Sequence, residues 1–234
     1  MGKRLIQQRR GRGTHTYRSP SFRFAGKAEL PHLDSSGTII DLIHCQGHTA
    51  PLMEVLYLSG EKVLAIAPEN IKVGDELSVG EESTIKEGNV LSLKNIPEGT
   101  LIHNIELRPG DGGRLVRTSG SFAKVVAKTE QGITVKMPSR KDKMFHTNCR
   151  AAIGIVAGGG RLEKPFLKAG TKYKKMRARN KLYPHVCGVS MNAVDHPFGS
   201  KCSHTKGRPT QSSRGAPPGR KVGKIAPKRT GRKR

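Results

Sequence analysis

Leu52-Met53-Glu54-Val55-Leu56-Tyr57-Leu58-Ser59-Gly60-Glu61-Lys62-Val63-Leu64-Ala65-Ile66-Ala67 holds two apolar or β-branched runs, 52–58 and 62–67, on either side of a Ser-Gly-Glu turn. That pattern predicts a β-hairpin. Upstream, residues 38–45 form a third such run, joined through the polar turn Gln46-Gly47-His48-Thr49. Downstream, Val73-Gly74-Asp75-Glu76 leads into a short fourth run at 77–79. Short strands at this spacing predict a small barrel.

A second set follows. Residues 101–107 read as a strand, and Arg108-Pro109-Gly110-Asp111-Gly112-Gly113 as a loop. Residues 122–128 and 133–137 flank Thr129-Glu130-Gln131-Gly132 as another hairpin, with Phe122 and Phe145 expected in a core. Runs at 143–147 and 151–156 complete a five-strand set, the size of an SH3-like barrel. The fold class is therefore all-β. One stretch, 171–180, has helical propensity and is heavily basic; it reads as a short helix lying on RNA.

Charge separates these parts. Lys and Arg number 43 against 18 acidic residues, a net +25, while hydrophobic residues are only 34% and Trp is absent. Residues 1–34 carry 8 basic and 2 acidic side chains, 35–107 carry 4 and 11, 108–162 carry 11 and 3, and 163–234 carry 20 and 2. The two ends have no sustained apolar period, so neither is expected to fold alone. A chain so charged opposes its own compaction and implies a polyanionic partner. The cysteines at 45, 149, 187 and 202 form no C-x-x-C pair and fit a reducing compartment. The first ten residues lack the apolar centre of a signal peptide and no run approaches membrane-spanning length, so a cytosolic protein without a membrane partner is expected.

Ile96-Pro97-Glu98-Gly99-Thr100 and the following run to Gly120, which contains Glu106-Leu107-Arg108-Pro109-Gly110-Asp111-Gly112-Gly113-Arg114, resemble the central motif of the universal large-subunit ribosomal protein of the L-two family. Residues 148–156, the loop 188–199 containing Met191-Asn192-Ala193-Val194-Asp195-His196-Pro197, and 216–226 resemble further family segments in the right order; the N-terminus looks archaeal. The resemblance implies an OB-fold barrel at 35–92 followed by an SH3-like barrel at 93–162, with extended basic N- and C-terminal arms at 1–34 and 163–234. It implies a structural constituent of the large ribosomal subunit, cytoplasmic, bound to large-subunit rRNA near the peptidyl-transferase centre. Support of that centre's assembly, of subunit association and of tRNA binding follows, as do neighbouring ribosomal proteins and small-subunit rRNA at an intersubunit bridge as partners; no homo-oligomer is expected.

Arg108, Arg114 and Arg117 bracket the loop glycines with forked donors suited to phosphate. Arg150 and Arg161 follow the same logic at the close and exit of the second barrel. In the arms, Arg9, Arg10 and Arg12 with Tyr17 in the first, and Lys174, Lys175, Arg177, Arg179, Lys201, Arg220 and Lys221 in the second, complete the expected rRNA contacts. Tyr17, Phe22, Phe24, Tyr173 and Tyr183 are candidate stacking platforms. Asn192, Asp195, His196 and Pro197 are expected near the peptidyl-transferase centre, with His196 holding RNA rather than acting as acid or base. After His-Pro the family commonly continues in glycines, whereas here Phe198-Gly199-Ser200-Lys201-Cys202-Ser203-His204 follows. His185, Cys187, Cys202 and His204 offer two Cys and two His, but the one-residue spacing within each pair is shorter than zinc sites use, so zinc is not expected. Structural Mg²⁺ bridging protein carbonyls and RNA phosphates is the one metal considered, though no sequence feature locates it, and no other cofactor is expected. No nucleotide loop and no nucleophile–base pair is identifiable, so no enzyme is expected. The alternative is an RNA-binding translation factor built from the same barrels, with its acidic first barrel docking protein.

Overall fold

The computed structural model describes residues 2–31, 34–200 and 206–228. The chain forms two compact units, Ser21–Pro165 and Met1–Pro20 with Phe166–Arg234.

In Ser21–Pro165, the predicted hairpin is β2 (Leu52–Tyr57) and β3 (Lys62–Ile66), paired antiparallel. With β1 (Ser36–Ile43) and β4 (Glu76–Ser78) they make a four-stranded sheet in the order β3-β2-β1-β4. A six-stranded sheet follows in the order β5-β10-β6-β7-β8-β9. Its members are β5 (Val90–Ser92), β6 (Leu101–His103), β7 (Ala123–Thr129), β8 (Gly132–Lys136), β9 (Asp142–Phe145) and β10 (Arg150–Ile153). The all-β reading holds, and the two sheets stand in the order expected of an OB-fold barrel followed by an SH3-like barrel.

The departures have local causes. β1 starts with clean alternation, Gly37 and Ile39 buried between exposed neighbours. Its ladder then shifts register between Ile39 and Asp41. A residue inserted on one strand bends that strand and breaks the period of two, so Ile40 and Leu42 turn outward. The run 101–107 pairs as a strand only to His103, because Asn104 takes a left-handed φ of 47°. β10 stops at Ile153, before Gly154 at φ 107°. Phe145 is buried as expected, but Phe122 lies ahead of β7 and is 45% exposed.

β5 carries no alternation because both its faces are covered. Val90 packs with Val55, Leu77 and Ala152 in the first core, whereas Leu91 packs with Ala151 and Ile153 in the second. Val90 lies opposite Ala152 and Leu91 opposite Ala151, so the β5–β10 ladder is the wall between the two cores. Strand pairing thus crosses residue 92, where the sequence suggests a boundary. The exit of the second barrel also returns to the first: Glu69 donates its amide to Ile155, and Ala157 donates to Ala67. The shared wall joins the two small sheets into one compact unit.

His103 sits inside this body, fully buried, with its Nδ1 3.1 Å from the Gly154 carbonyl. A carbonyl can only accept, so Nδ1 carries the proton and donates. Burial lowers the imidazole pKa to about 4, against the opposing pull of the Gly154 and Ile66 carbonyls. The unfolded chain therefore takes up this proton first as pH falls through 6.5, and stability is lost until the folded pKa is reached. Urea unfolding of the full chain should show a loss of about 3 kcal/mol from this group between pH 6.5 and 4. A His103→Asn chain should lack that part of the pH dependence; an identical profile would show that His103 is not its source.

The other unit joins the two ends of the chain. Leu5, Phe198 and Val222 are buried together, with Val189 packed against them. Helix α1 (Ile6–Gly11) follows Leu5, and its Gln8 Oε1 accepts the Leu5 amide at 2.8 Å. Lys3 donates its amide to Val194 at 2.8 Å. Helix α2 (Ala169–Ala178) matches the predicted basic helix, two residues upstream of its expected bounds. Two-residue strands β11 (Gln211–Ser212) and β12 (Lys224–Ile225) pair in parallel, and Ser212 Oγ donates to the Val222 carbonyl. The ends, expected as extended arms, thus share a small core. No local period announces their core, because Leu5 stands almost a whole chain from Phe198 and Val222. Among the described residues, no helix is long and apolar enough to cross a membrane.

Candidate nucleic-acid interface

The loop after β6 is organised from beneath by one carboxylate. Glu106 is fully buried. Its Oε1 accepts from Arg150 Nη2 at 2.9 Å, from Arg150 Nε at 3.3 Å and from the Gly112 amide at 3.4 Å. Its Oε2 accepts from the amides of Arg150 and Gly110 at 2.9 and 3.2 Å. Arg150 is itself mostly buried and places Nη1 2.6 Å from the Pro31 carbonyl. A charge taken out of water is tolerable only when paired and fully hydrogen-bonded, and this one is both.

Asp111 does the same for the tip. Its Oδ2 accepts the amides of Leu107 and Arg108 at 3.0 and 3.3 Å, and its Oδ1 that of Gly113 at 3.2 Å. The neck is closed by an antiparallel bridge between Ile105 and Leu115. Val116 there adopts a φ of 54°, a strained conformation for a β-branched residue, with its carbonyl accepting the Asn104 amide. Gly113, at φ 84°, is required by space as well: a Cβ there would lie 2.5 Å from Asn104 Oδ1 and 2.7 Å from the Asn104 carbonyl oxygen. The close approach this glycine allows is thus to the chain's own backbone.

The arginines around this frame divide. Arg108 is exposed, and Arg114 is exposed with only a 3.8 Å contact to Asp111. Arg117 is half-buried and donates to the carbonyls of Gly113 at 3.1 Å and Ala28 at 2.7 Å. Burial lowers its pKa, opposed by Glu29 and assisted by Arg114. Arg117 and Arg150 therefore hold the loop, and Arg108 and Arg114 display charge from it. Arg161, in an exposed stretch, donates from Nε to Ser119 Oγ at 3.1 Å.

In the other unit, the expected arm residues converge. Tyr17, Tyr173, Tyr183 and Arg177 line one depression of about 200 Å³. Arg4, Arg9, Arg10 and His196 line a neighbouring cleft of about 420 Å³, and Leu182 borders both. His196 does not face Asp195 as a pair: Asp195 lies 3.5 Å from Lys3 Nζ. The imidazole Nδ1 accepts the Phe198 amide at 3.0 Å, and its ring tilts against Phe198 with centroids 5.0 Å apart. Nε2 is then the nitrogen that bears the proton in the neutral ring, and burial lowers the pKa. Gly188 covers the ring so closely that a Cβ would stand 2.5 Å from it. Asn192 accepts the amides of Asp195 and His196 through its carbonyl, while Pro197 is half-buried.

Arg12 is exposed beyond α1, and Lys174 is exposed on α2. Lys175 lies over the Phe166 ring at 5.2 Å. Arg179 is half-buried. Arg220 is half-buried and donates to the Pro209 carbonyl at 3.2 Å, beside half-buried Lys221. Phe22 is 77% exposed with Arg23 over its ring, whereas Phe24 packs against the barrel core around Leu52. Lys201, and Cys202 and His204 of the unexpected zinc set, lie outside the described residues. Sequence reasoning overlooked Glu106 and Asp111. Asp111 could have been found from its Pro-Gly-Asp-Gly-Gly setting, where a short carboxylate caps nearby amides; Glu106, a lone acid between Ile105 and Leu107, carries no such signal.

The family described as Ribosomal Proteins L2, C-terminal domain, matches residues 86–215. Over the full length of both chains, the sequence is 51% identical to the large ribosomal subunit protein uL2 of Methanothermobacter thermautotrophicus. It is 49% identical to that of Methanococcoides burtonii and 48% to that of Archaeoglobus fulgidus, again over whole chains.

Removing one partner of a buried ion pair leaves the other uncompensated. Glu106→Ala should therefore destabilise the Ser21–Pro165 unit by about 3–5 kcal/mol in urea unfolding of the full chain. Asp111→Ala, which removes a carboxylate bonded to backbone amides but strands no buried cation, should lose less, about 1–2 kcal/mol. Equal losses would contradict the division of labour between the two carboxylates.

Proposed function

The chain belongs to the L2 family of large-subunit ribosomal proteins, and from that membership we propose that it is a structural, non-enzymatic constituent of the large ribosomal subunit in the cytoplasm, binding large-subunit rRNA. The observation that carries the reading is the loop 106–117. Its acids are neutralised internally by Arg150 and by backbone amides. Arg108 and Arg114 are thereby left outward on a fixed frame. Forked guanidinium donors on a rigid loop suit phosphate oxygens, and a preorganised loop loses little entropy when it binds.

In the finer reading, the contacts lie near the peptidyl-transferase centre, with the loop 192–197 as the closest approach and His196 positioning RNA. The basic ends lock onto rRNA during assembly, and the protein supports subunit association and tRNA binding. Neighbouring ribosomal proteins, and small-subunit rRNA at a bridge, complete the partners. Structural Mg²⁺ enters where carbonyls and phosphates meet, and no other cofactor is assigned.

Filter binding of the full chain to large-subunit rRNA over a salt series tests the loop. Arg108→Ala and Arg114→Ala should each weaken binding by about 1–3 kcal/mol. Each should also reduce the steepness of the salt dependence by about one phosphate contact. Arg117→Ala should act mainly on stability, since its donors are taken by carbonyls. Wild-type affinity and salt slope in both exposed-arginine variants would remove the loop from the RNA interface.

A further inference from the structure

We propose that the depression lined by Tyr17, Tyr173 and Tyr183 holds an unstacked RNA base, with the phosphates of the same strand continuing over the adjoining arginine cleft; this rests on the RNA-binding reading above and specifies a single-stranded element for it. The chain has four tyrosines and no tryptophan. Tyr57 is buried in the first barrel core, and the other three surround this one depression. They do not form a core of their own, since Tyr173 is 47% exposed.

Separate elements hold the three rings in place. Tyr17 ends the short turn His15–Tyr17, whereas Tyr173 and Arg177 stand four residues apart on α2 and so share a face. Asn180 Nδ2 donates to the Arg18 carbonyl at 2.7 Å, tying the Tyr17 turn to the end of α2. Lys172 lies over the Tyr183 ring at 5.1 Å, which places a cation beside the depression. Aromatic faces with cations at their rim are the combination that accepts a base by stacking and its phosphate by charge, without regard to sequence.

The neighbouring cleft supplies the second observation. Arg4, Arg9 and Arg10 line it, and among the described residues Nη2 of Arg10 is buried without a hydrogen-bond partner. Three guanidinium groups around one cleft offer the forked donors that phosphate oxygens accept from. Leu182 is the common wall, so a strand leaving the tyrosines passes directly to Arg10. A duplex cannot use this geometry, because its bases are stacked away and only its sugar–phosphate edges and grooves are presented.

The full chain labelled with 3-fluorotyrosine gives a resonance for each tyrosine, with Tyr57 as internal reference. Single-stranded hexa-adenylate should shift the Tyr17, Tyr173 and Tyr183 signals and leave Tyr57 in place, and Tyr173→Ala should weaken its binding about tenfold. A duplex RNA of the same length should bind, by fluorescence anisotropy, without shifting the three signals. Binding of both RNAs with the three signals unmoved, or moved equally by duplex, overturns the base-pocket inference alone. Absence of binding by either RNA overturns the RNA-binding reading and the inference with it.

Discussion

The Glu106–Arg150 pair is the contact on which the rest of the barrel unit turns. It is a buried charge pair whose carboxylate accepts five hydrogen bonds, two from the guanidinium and three from backbone amides. One side of it belongs to the loop after β6 and the other to the start of β10, the strand that walls both cores. Arg150 extends the link to the Pro31 carbonyl, ahead of β1. A single desolvated interaction thus ties the arginine loop to the joint between the barrels and to the strand that enters the first of them. Buried pairs are weak contributors to net stability but strict about geometry, since any misplacement leaves a charge unpaired in a poor dielectric.

That strictness explains how a basic protein presents its charge. Arg117 and Arg150 give their donors to the protein's own oxygens. Arg108 and Arg114 stand outside the same frame and keep theirs. Within one short stretch the same residue type serves two roles, set by whether a carbonyl or carboxylate is within reach. The first barrel's acidic balance has no such organising centre, and its excess negative charge is spread over exposed side chains such as Glu61, Glu81 and Glu82.

The ends follow a different design. Among the described residues their buried apolar cluster is small: Leu5, Phe198 and Val222, with Val189 packed against them. Leu5 and Phe198 bring α1 beside the 188–199 loop and the Asn180–Arg18 bond holds Tyr17 near the end of α2, while most described cationic side chains of this unit remain outward. His196 is held at this meeting point by its bond from the Phe198 amide and by Gly188 over its ring. Its neighbour Asp195 turns away to Lys3, so the adjacent acid and imidazole make no catalytic pair.

Local pattern in the chain was enough to determine the all-β class, the main hairpins and the basic helix, because period, turn chemistry and charge are written within a few residues of each other. It also marked the glycine-rich arginine loop, since glycines and forked donors cluster there. It did not show that β5 is a strand, as three residues covered on both faces have no period to read. Nor could it tell displayed arginines from structural ones, or gather three tyrosines spaced across 166 residues of chain around one depression. Those outcomes depend on which oxygen or ring arrives from a distant segment. Such meetings are decided by burial and pairing in three dimensions, not by neighbours along the sequence.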